Sequence, residues 1–239
     1  QILLDENEIA KAANRPKITE LKVSFSRDGF HWDRPYRDAF IPATRVPGSW
    51  DRGYVQSVGG ICTVVGDQLR FYYIGFKGGD SSSYMHSNGA TGMATLRRDG
   101  FASMSTTGEG SLTTRPVKFS GKYMFVNVNC PAGELKVEIL DKNNKVIDGF
   151  SADKCKAVTI DSTIQQVEWN GASDLSSLAG QEVRFRFKLK NGDLYAFWVS
   201  PSTNGESNGY VAGGGPGYTS NKDTEGKKAY EKASGFQKF

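Results

Sequence analysis

The clearest signal along the chain is alternation of apolar and polar positions. Val183, Phe185, Phe187 and Leu189 are interleaved with Arg184, Arg186 and Lys188, the period-two pattern of a strand with one face in a core and the other in water. Related runs, "RPVKFSG", "KYMFVNVN", "ELKVEILD", "QQVEWN" and "LYAFWVS", recur between residues 115 and 200, and turn signals such as Asp141-Lys-Asn-Asn144 and Asn191-Gly192 divide them. The pattern predicts an antiparallel β-sandwich over residues 111–200, with Trp169 and Trp198 in its core. Within it, "SDLSSLAGQ" at residues 173–181 predicts one short helical turn, capped by Ser173 and closed by Gly180.

The first half reads differently. The stretch "GYVQSVGGICTVVGDQLRFYYIGFKGG" holds strand-like runs at residues 54–58, 61–65 and 69–76, and a fourth follows at 91–96. Four antiparallel strands are the content of one propeller blade. A polar segment at residues 77–90 joins the last two and is too long for a tight hairpin. Blades repeat, and a repeat is present: "SFSRDGF" at residues 24–30 returns as "TLRRDGF" at 95–101, with Asp28 and Asp99 lying 71 positions apart. Asp-Gly between extended segments predicts a hairpin in which Asp accepts turn hydrogen bonds and Gly takes a positive φ. Asp28 and Asp99 are therefore assigned to turns rather than to chemistry, and His31 and Trp32 to packing against a next blade.

Composition narrows the partners. Of 239 residues, 30 are Lys or Arg and 26 Asp or Glu, giving a net charge of +4 with the two signs scattered together. This argues against a nucleic-acid footprint. No run reaches the length of a membrane-spanning helix, which predicts a soluble chain without membrane contact. Cys62, Cys130 and Cys155 lack metal-ligand spacing, so no metal site is expected; a Cys130–Cys155 disulfide and three free thiols remain alternatives. The amino end has neither an initiator Met nor the basic-then-apolar plan of a signal peptide, and its abrupt approach to the repeat predicts a processed or truncated piece of a longer chain, with further blades upstream. A secreted or periplasmic setting is favoured. Residues 201–239, rich in glycine and polar side chains, predict an irregular tail lying over the other domains.

The run of motifs "SFSRDGFHWDRP", "GSWDRGYVQS", "GDQLRFYYIGFKG", "TGMATLRRDGFASM", "GSLTTRPVKFSGKYMFVN", "GELKVEILD", "EVRFRFKLKNGDLYAFW" and "NGYVAGGGPGY" resembles the carboxy-terminal part of a bacterial group related to the glycoside hydrolase family 32 and 43 enzymes. The resemblance covers roughly residues 20–220. It implies a five-bladed β-propeller followed by a β-sandwich, hence an all-β chain: the last blade or blades over residues 1–110, the sandwich over 111–200 and the tail over 201–239. It implies a carbohydrate-active protein that needs no cofactor, with room for a structural calcium ion. A second chain could complete the propeller. The family's Trp-Met/Asn-Asp-Pro and Arg-Asp-Pro stretches, which carry its carboxylates, have no counterpart here. Glycoside cleavage requires two such groups, so a catalytic half would lie upstream.

Candidate site residues are Trp50, Asp51, Arg52, Tyr54 and Gln56, at the start of the first blade strand, and His86 in the long loop near Lys77 and Tyr84. An aromatic platform beside polar groups suits a sugar ring, whose C–H face stacks while its hydroxyls need partners. The competing account has Trp50 plugging a blade junction, Asp51 capping a turn and His86 merely solvated. Three functions follow: part of a propeller glycosidase, a non-catalytic carbohydrate-binding protein, or a structural scaffold.

Overall fold

The computed structural model describes residues 2–3, 17–46, 48–78 and 86–236, with the side chains of Ile2, Leu3 and Lys17, and the burial of Gly60, outside that description. The fold is all-β. Among the described residues twelve strands, β1 (Ile2–Leu3), β2 (Lys17–Ile18), β3 (Phe25–Ser26), β4 (Trp32–Asp33), β5 (Tyr54–Val65), β6 (Gln68–Phe76), β7 (Gly89–Arg97), β8 (Met104–Thr113), β9 (Tyr123–Asn129), β10 (Glu134–Leu140), β11 (Asp161–Val167) and β12 (Arg184–Ser200), precede one α-helix, α1 (Lys227–Ala233). The chain divides into two compact units, Gln1–Cys62 with Arg70–Thr95, and Thr63–Leu69 with Leu96–Phe239.

The first unit holds most of the three-stranded sheet β5-β6-β7. A tight turn at Gly66 (φ +60°) and Asp67 joins β5 to β6, as the Gly-Asp pair predicts. The runs at 54–58 and 61–65 are one strand, so the four strands expected of a blade are three among the described residues. The Gly59-Gly60 pair that read as a break lies inside β5, where Gly59 takes φ +73°. One sheet face is covered: Val55 is buried with Ile18, Ile41 and Ala43, and Phe71, Tyr73 and Ala94 pack on the cluster. The segment before β5 is tied to this sheet by Val55 N to Thr19 O at 3.0 Å, and Phe40 N to Leu21 O at 2.8 Å closes the segment on itself.

In the second unit one five-stranded sheet runs β10-β12-β9-β11, with β8 also paired to β12. The alternation over residues 183–189 is realised: Val183, Phe185, Phe187 and Leu189 are buried and the intervening basic residues are not. Asn191-Gly192, however, does not end a strand. Both residues lie inside β12, where the register on β8 slips between Lys190 and Gly192 and that on β9 between Leu194 and Ala196. Before the slip β12 runs between β10 and β8; after it β9 takes the place of β10, while β8 stays paired through Leu194. The inward residues of both halves, Val126 and Val128 with Val137, Ile139, Phe185 and Phe187, share one core. A Cβ at Gly133 would stand 1.8 Å from Lys190 O, so the backbone approach at this bend requires glycine.

Trp169 belongs to that core and donates its indole N–H to Val137 O at 2.8 Å. Trp198 is instead half-buried on the opposite face, stacked on Phe125 at 5.7 Å, with its N–H on Gly205 O at 3.0 Å. All three cysteines are buried free thiols, the second of the two alternatives. The short helical turn is a 3₁₀ turn at Ser176–Leu178, but Asp174 rather than Ser173 accepts the Ser176 N–H, at 2.8 Å. The tail is more ordered than expected. It carries α1, and Asp223 is buried in it, accepting the Gly226 N–H at 2.8 Å and the Arg98 guanidinium at 2.9 Å.

Candidate functional site

The predicted site residues do not converge on one surface. Strand alternation sends Gly75 and Phe76 to opposite faces of β6, and each marks a separate aromatic group. On the covered face, the Trp50 ring lies over the two glycines Gly75 and Gly92 of adjacent strands. A Cβ at either position would come within 2.5 Å and 2.4 Å of the indole, respectively. Tyr73 stacks against the same ring, with centroids 5.5 Å apart and planes 30° off parallel. Trp50 keeps 37 % of its surface exposed, so it is seated on the sheet and still presents area to solvent.

The loop that delivers Trp50 is held by Asp51. Its carboxylate is buried and accepts the hydroxyls of Thr44 at 2.9 Å and Ser49 at 2.5 Å. The backbone closes the same loop, Thr44 N to Asp51 O and Arg45 N to Arg52 O. Burial, and then the Asp51 charge, push the Tyr73 hydroxyl above its ordinary pKa, so it stays protonated and can donate. Arg52 is half-buried and has no ion-pair partner among the described residues.

On the other face, Tyr54, Phe76 and His86 form an edge-to-face trio, with the His86 centroid 4.5 Å from Tyr54 and 5.4 Å from Phe76. Gln56 follows Tyr54 by two positions and is exposed on the same side. His86 therefore does not share a surface with Trp50, contrary to the sequence expectation. Tyr84 lies outside the described residues. Lys77 and Asn88 close the base of the loop through Lys77 N to Asn88 O and Asn88 Nδ2 to Gly78 O.

Asp28 and Asp99 both lie in turns, as predicted. Oδ1 of Asp28 accepts the N–H groups of Phe30 at 2.9 Å and His31 at 2.8 Å, while Oδ2 pairs with His31 Nδ1 at 2.5 Å. His31 and Trp32, expected to be packed, are exposed, and Trp32 retains 63 % of its surface. The second unit has a surface cleft of about 500 Å³ lined by Glu109, Glu134, Lys136, Asp153, Lys188 and Lys190. Its lysines are all answered by carboxylates, Lys136 by Glu134, Lys190 by Glu109 and Lys188 by Glu138. Among the described residues no three His, Cys, Asp or Glu side chains group as a metal site would require.

Sequence reasoning missed Tyr73, Gly75 and Gly92. A glycine inside a strand pattern signals close approach of another group, and "YYIGF" and "TGMAT" both carry that signal. No family model, curated protein or solved structure matches the chain.

Proposed function

We propose that this chain is a carbohydrate-recognising part of a glycan-active protein, in which β5, β6 and β7 belong to a propeller blade and the second unit is a β-sandwich. The observation that carries the reading is the seat of Trp50. Two glycines and Tyr73 hold an indole flat against the sheet with more than a third of it exposed, and such a platform stacks on the C–H face of a sugar. Tyr73 and Arg52 supply hydrogen-bond donors nearby in the chain and sheet. Binding is favoured over cleavage because Asp51 is committed to Thr44 and Ser49, and Asp28 to its own turn. Neither is placed as one of a pair of carboxylates facing a common bond. Hydrolysis by the parent protein would draw its carboxylates from a longer chain or a second chain.

The test is retention of the 239-residue chain by immobilised neutral polysaccharides, compared with Trp50→Ala. Loss of retention in a variant that still unfolds cooperatively, at a temperature lowered by the lost indole packing, is the expected result. Gly92→Ala, which forces a methyl into the indole, should reproduce the loss in part. Equal retention of wild type and Trp50→Ala would remove the basis of the proposal.

A further inference from the structure

The β3–β4 hairpin and the segment after it, residues 27–38, form a second surface with the chemistry of a ligand site, and every residue in it is exposed. Phe30, Trp32 and Tyr36 keep 87 %, 63 % and 65 % of their surface, unusual for three large aromatics within seven positions. The hairpin and its indole are not loosely hung. Ser26 pairs with Trp32 across the hairpin, Trp32 Nε1 donates to Gly29 O at 3.0 Å, and the Asp28 carboxylate ties down the Phe30 and His31 amides. The indole thus has its only polar atom satisfied internally and offers an apolar ring in a fixed orientation. A pre-ordered ring forfeits little conformational freedom on binding.

The polar groups beside these rings are free. Trp32 is followed by Asp33 and Arg34, and Tyr36 by Arg37 and Asp38; none of these four charged side chains has an ion-pair or hydrogen-bond partner among the described residues. The segment therefore presents, twice in succession, one aromatic ring with one carboxylate and one guanidinium. Four residues of extended chain span at most about 14 Å, so both sets lie within reach of a single extended ligand. Charge decides its class. Arg27, Arg34 and Arg37 balance Asp28, Asp33 and Asp38, so the patch offers no net attraction to a polyanion such as nucleic acid. Rings for stacking, combined with both donors and acceptors at zero net charge, match a neutral polyhydroxylated chain.

We infer that residues 32–38 are a second glycan contact, built on Trp32 and Tyr36 and distinct from the Trp50 platform. This rests on the carbohydrate reading above. The whole 239-residue chain is first applied to an array of neutral and acidic oligosaccharides, and the strongest neutral ligand is titrated calorimetrically into wild type, Trp50→Ala, Trp32→Ala, Trp32→Phe and Tyr36→Ala. Trp32→Ala and Tyr36→Ala should each weaken binding roughly tenfold, with Trp32→Phe near wild type. Unfolding temperatures should not move, because the rings are exposed. Wild-type affinity in both alanine variants, with binding lost in Trp50→Ala, overturns this inference and leaves the function standing. No neutral ligand on the array overturns both, and a strong preference for acidic ligands overturns the charge argument. Concentration-dependent dimerisation abolished by Trp32→Ala, with glycan affinity intact, would make the patch a contact between copies and equally overturn it.

Discussion

At residues 27–30 the glycine of Arg-Asp-Gly-Phe carries the left-handed backbone angle, Gly29 at φ +78°; at residues 98–101 the aspartate carries it, Asp99 at φ +53°. The same four residues reverse the chain in both places by different means. A Cβ on Gly29 would meet nothing within 4 Å, so that glycine is there for conformation. A Cβ on Gly100 would stand 2.7 Å from Arg97 Cβ and 2.9 Å from its carbonyl oxygen, so that glycine is there for space. The first copy folds back on itself through β3 and β4, whereas the second ends β7 and passes the chain to β8 in another sheet. Arg27 is exposed and unpaired among the described residues. Arg98 is buried, gives Nη2 to Asp223 at 2.9 Å, and lies over the rings of Tyr218 and Tyr230. The tetrapeptide specifies a turn; what the turn attaches to is settled by residues far away in sequence.

The arginines give the sharpest way to break the parallel. Arg98→Met strips the cation from a carboxylate that is 1 % exposed, and orphaning one partner of a buried pair costs about 3–5 kcal/mol. Arg27→Met removes an exposed side chain and should stay within about 0.5 kcal/mol. Denaturant unfolding of the two variants measures the difference directly. Similar losses would mean that Asp223 is not an obligate partner and that the tail is held by its other bonds.

The glycines come next. Gly100→Ala must displace Arg97, whose guanidinium bonds Asn127 and Val128 O and pairs with Asp161; forced overpacking of this kind costs about 1–3 kcal/mol. Gly29→Ala meets open space and should cost only the left-handed penalty, about 1–2 kcal/mol. Because Arg97 also lies over Tyr195 at 4.7 Å, Gly100→Ala should in addition perturb the Tyr195 ring resonances. A larger loss for Gly29→Ala would reverse the assignment of the two glycines.

What could be read from the sequence follows from how local each cause is. The turn at Asp28 was legible because its bonds close within three residues, and β12 was legible because its alternation survives a change of partner strand. Asn191-Gly192 misled for the converse reason: a strong turn signal yields when β8, β9 and β10 pair along the strand on both sides of it. The buried Arg98 was invisible, its partner Asp223 lying 125 positions away. The site was half legible. Trp50 and Tyr54 are close in sequence, but Trp50 arrives from a loop and Tyr54 from a strand, and only the identity of the neighbouring strands places the indole over Gly75 and Gly92. His31 and Trp32 follow the hairpin turn and were therefore assigned to packing against a next blade, while the Asp28 network beside them serves equally well at a surface.

The smallest and most discriminating effect lies in the aspartates themselves. The hydrogen bond from the His31 ring, reinforced by the His31 and Phe30 amides, holds the Asp28 carboxyl well below its usual range. Asp99 keeps 63 % of its side chain exposed and lies 3.7 Å from Arg98 Nε; the neighbouring chain still withdraws water enough to raise its carboxyl, an effect that the Arg98 guanidinium opposes and Asp223 reinforces. The two copies should therefore respond oppositely to acid. The Asp28 contribution is complete above the unfolded carboxylate value of about 3.9 and is lost as pH falls below that toward its depressed value. For Asp99, folding favours the protonated form, so its contribution is complete below about 3.9 and is lost as pH rises through its elevated value. Carboxyl carbon shifts of the two side chains, followed by NMR from neutral to acid pH, should titrate on opposite sides of that reference, and the His31 amide should broaden with Asp28 alone. If both aspartates titrate on the same side, the tetrapeptide fixes its own electrostatics and the distant partners of Arg98 do not reach its neighbour.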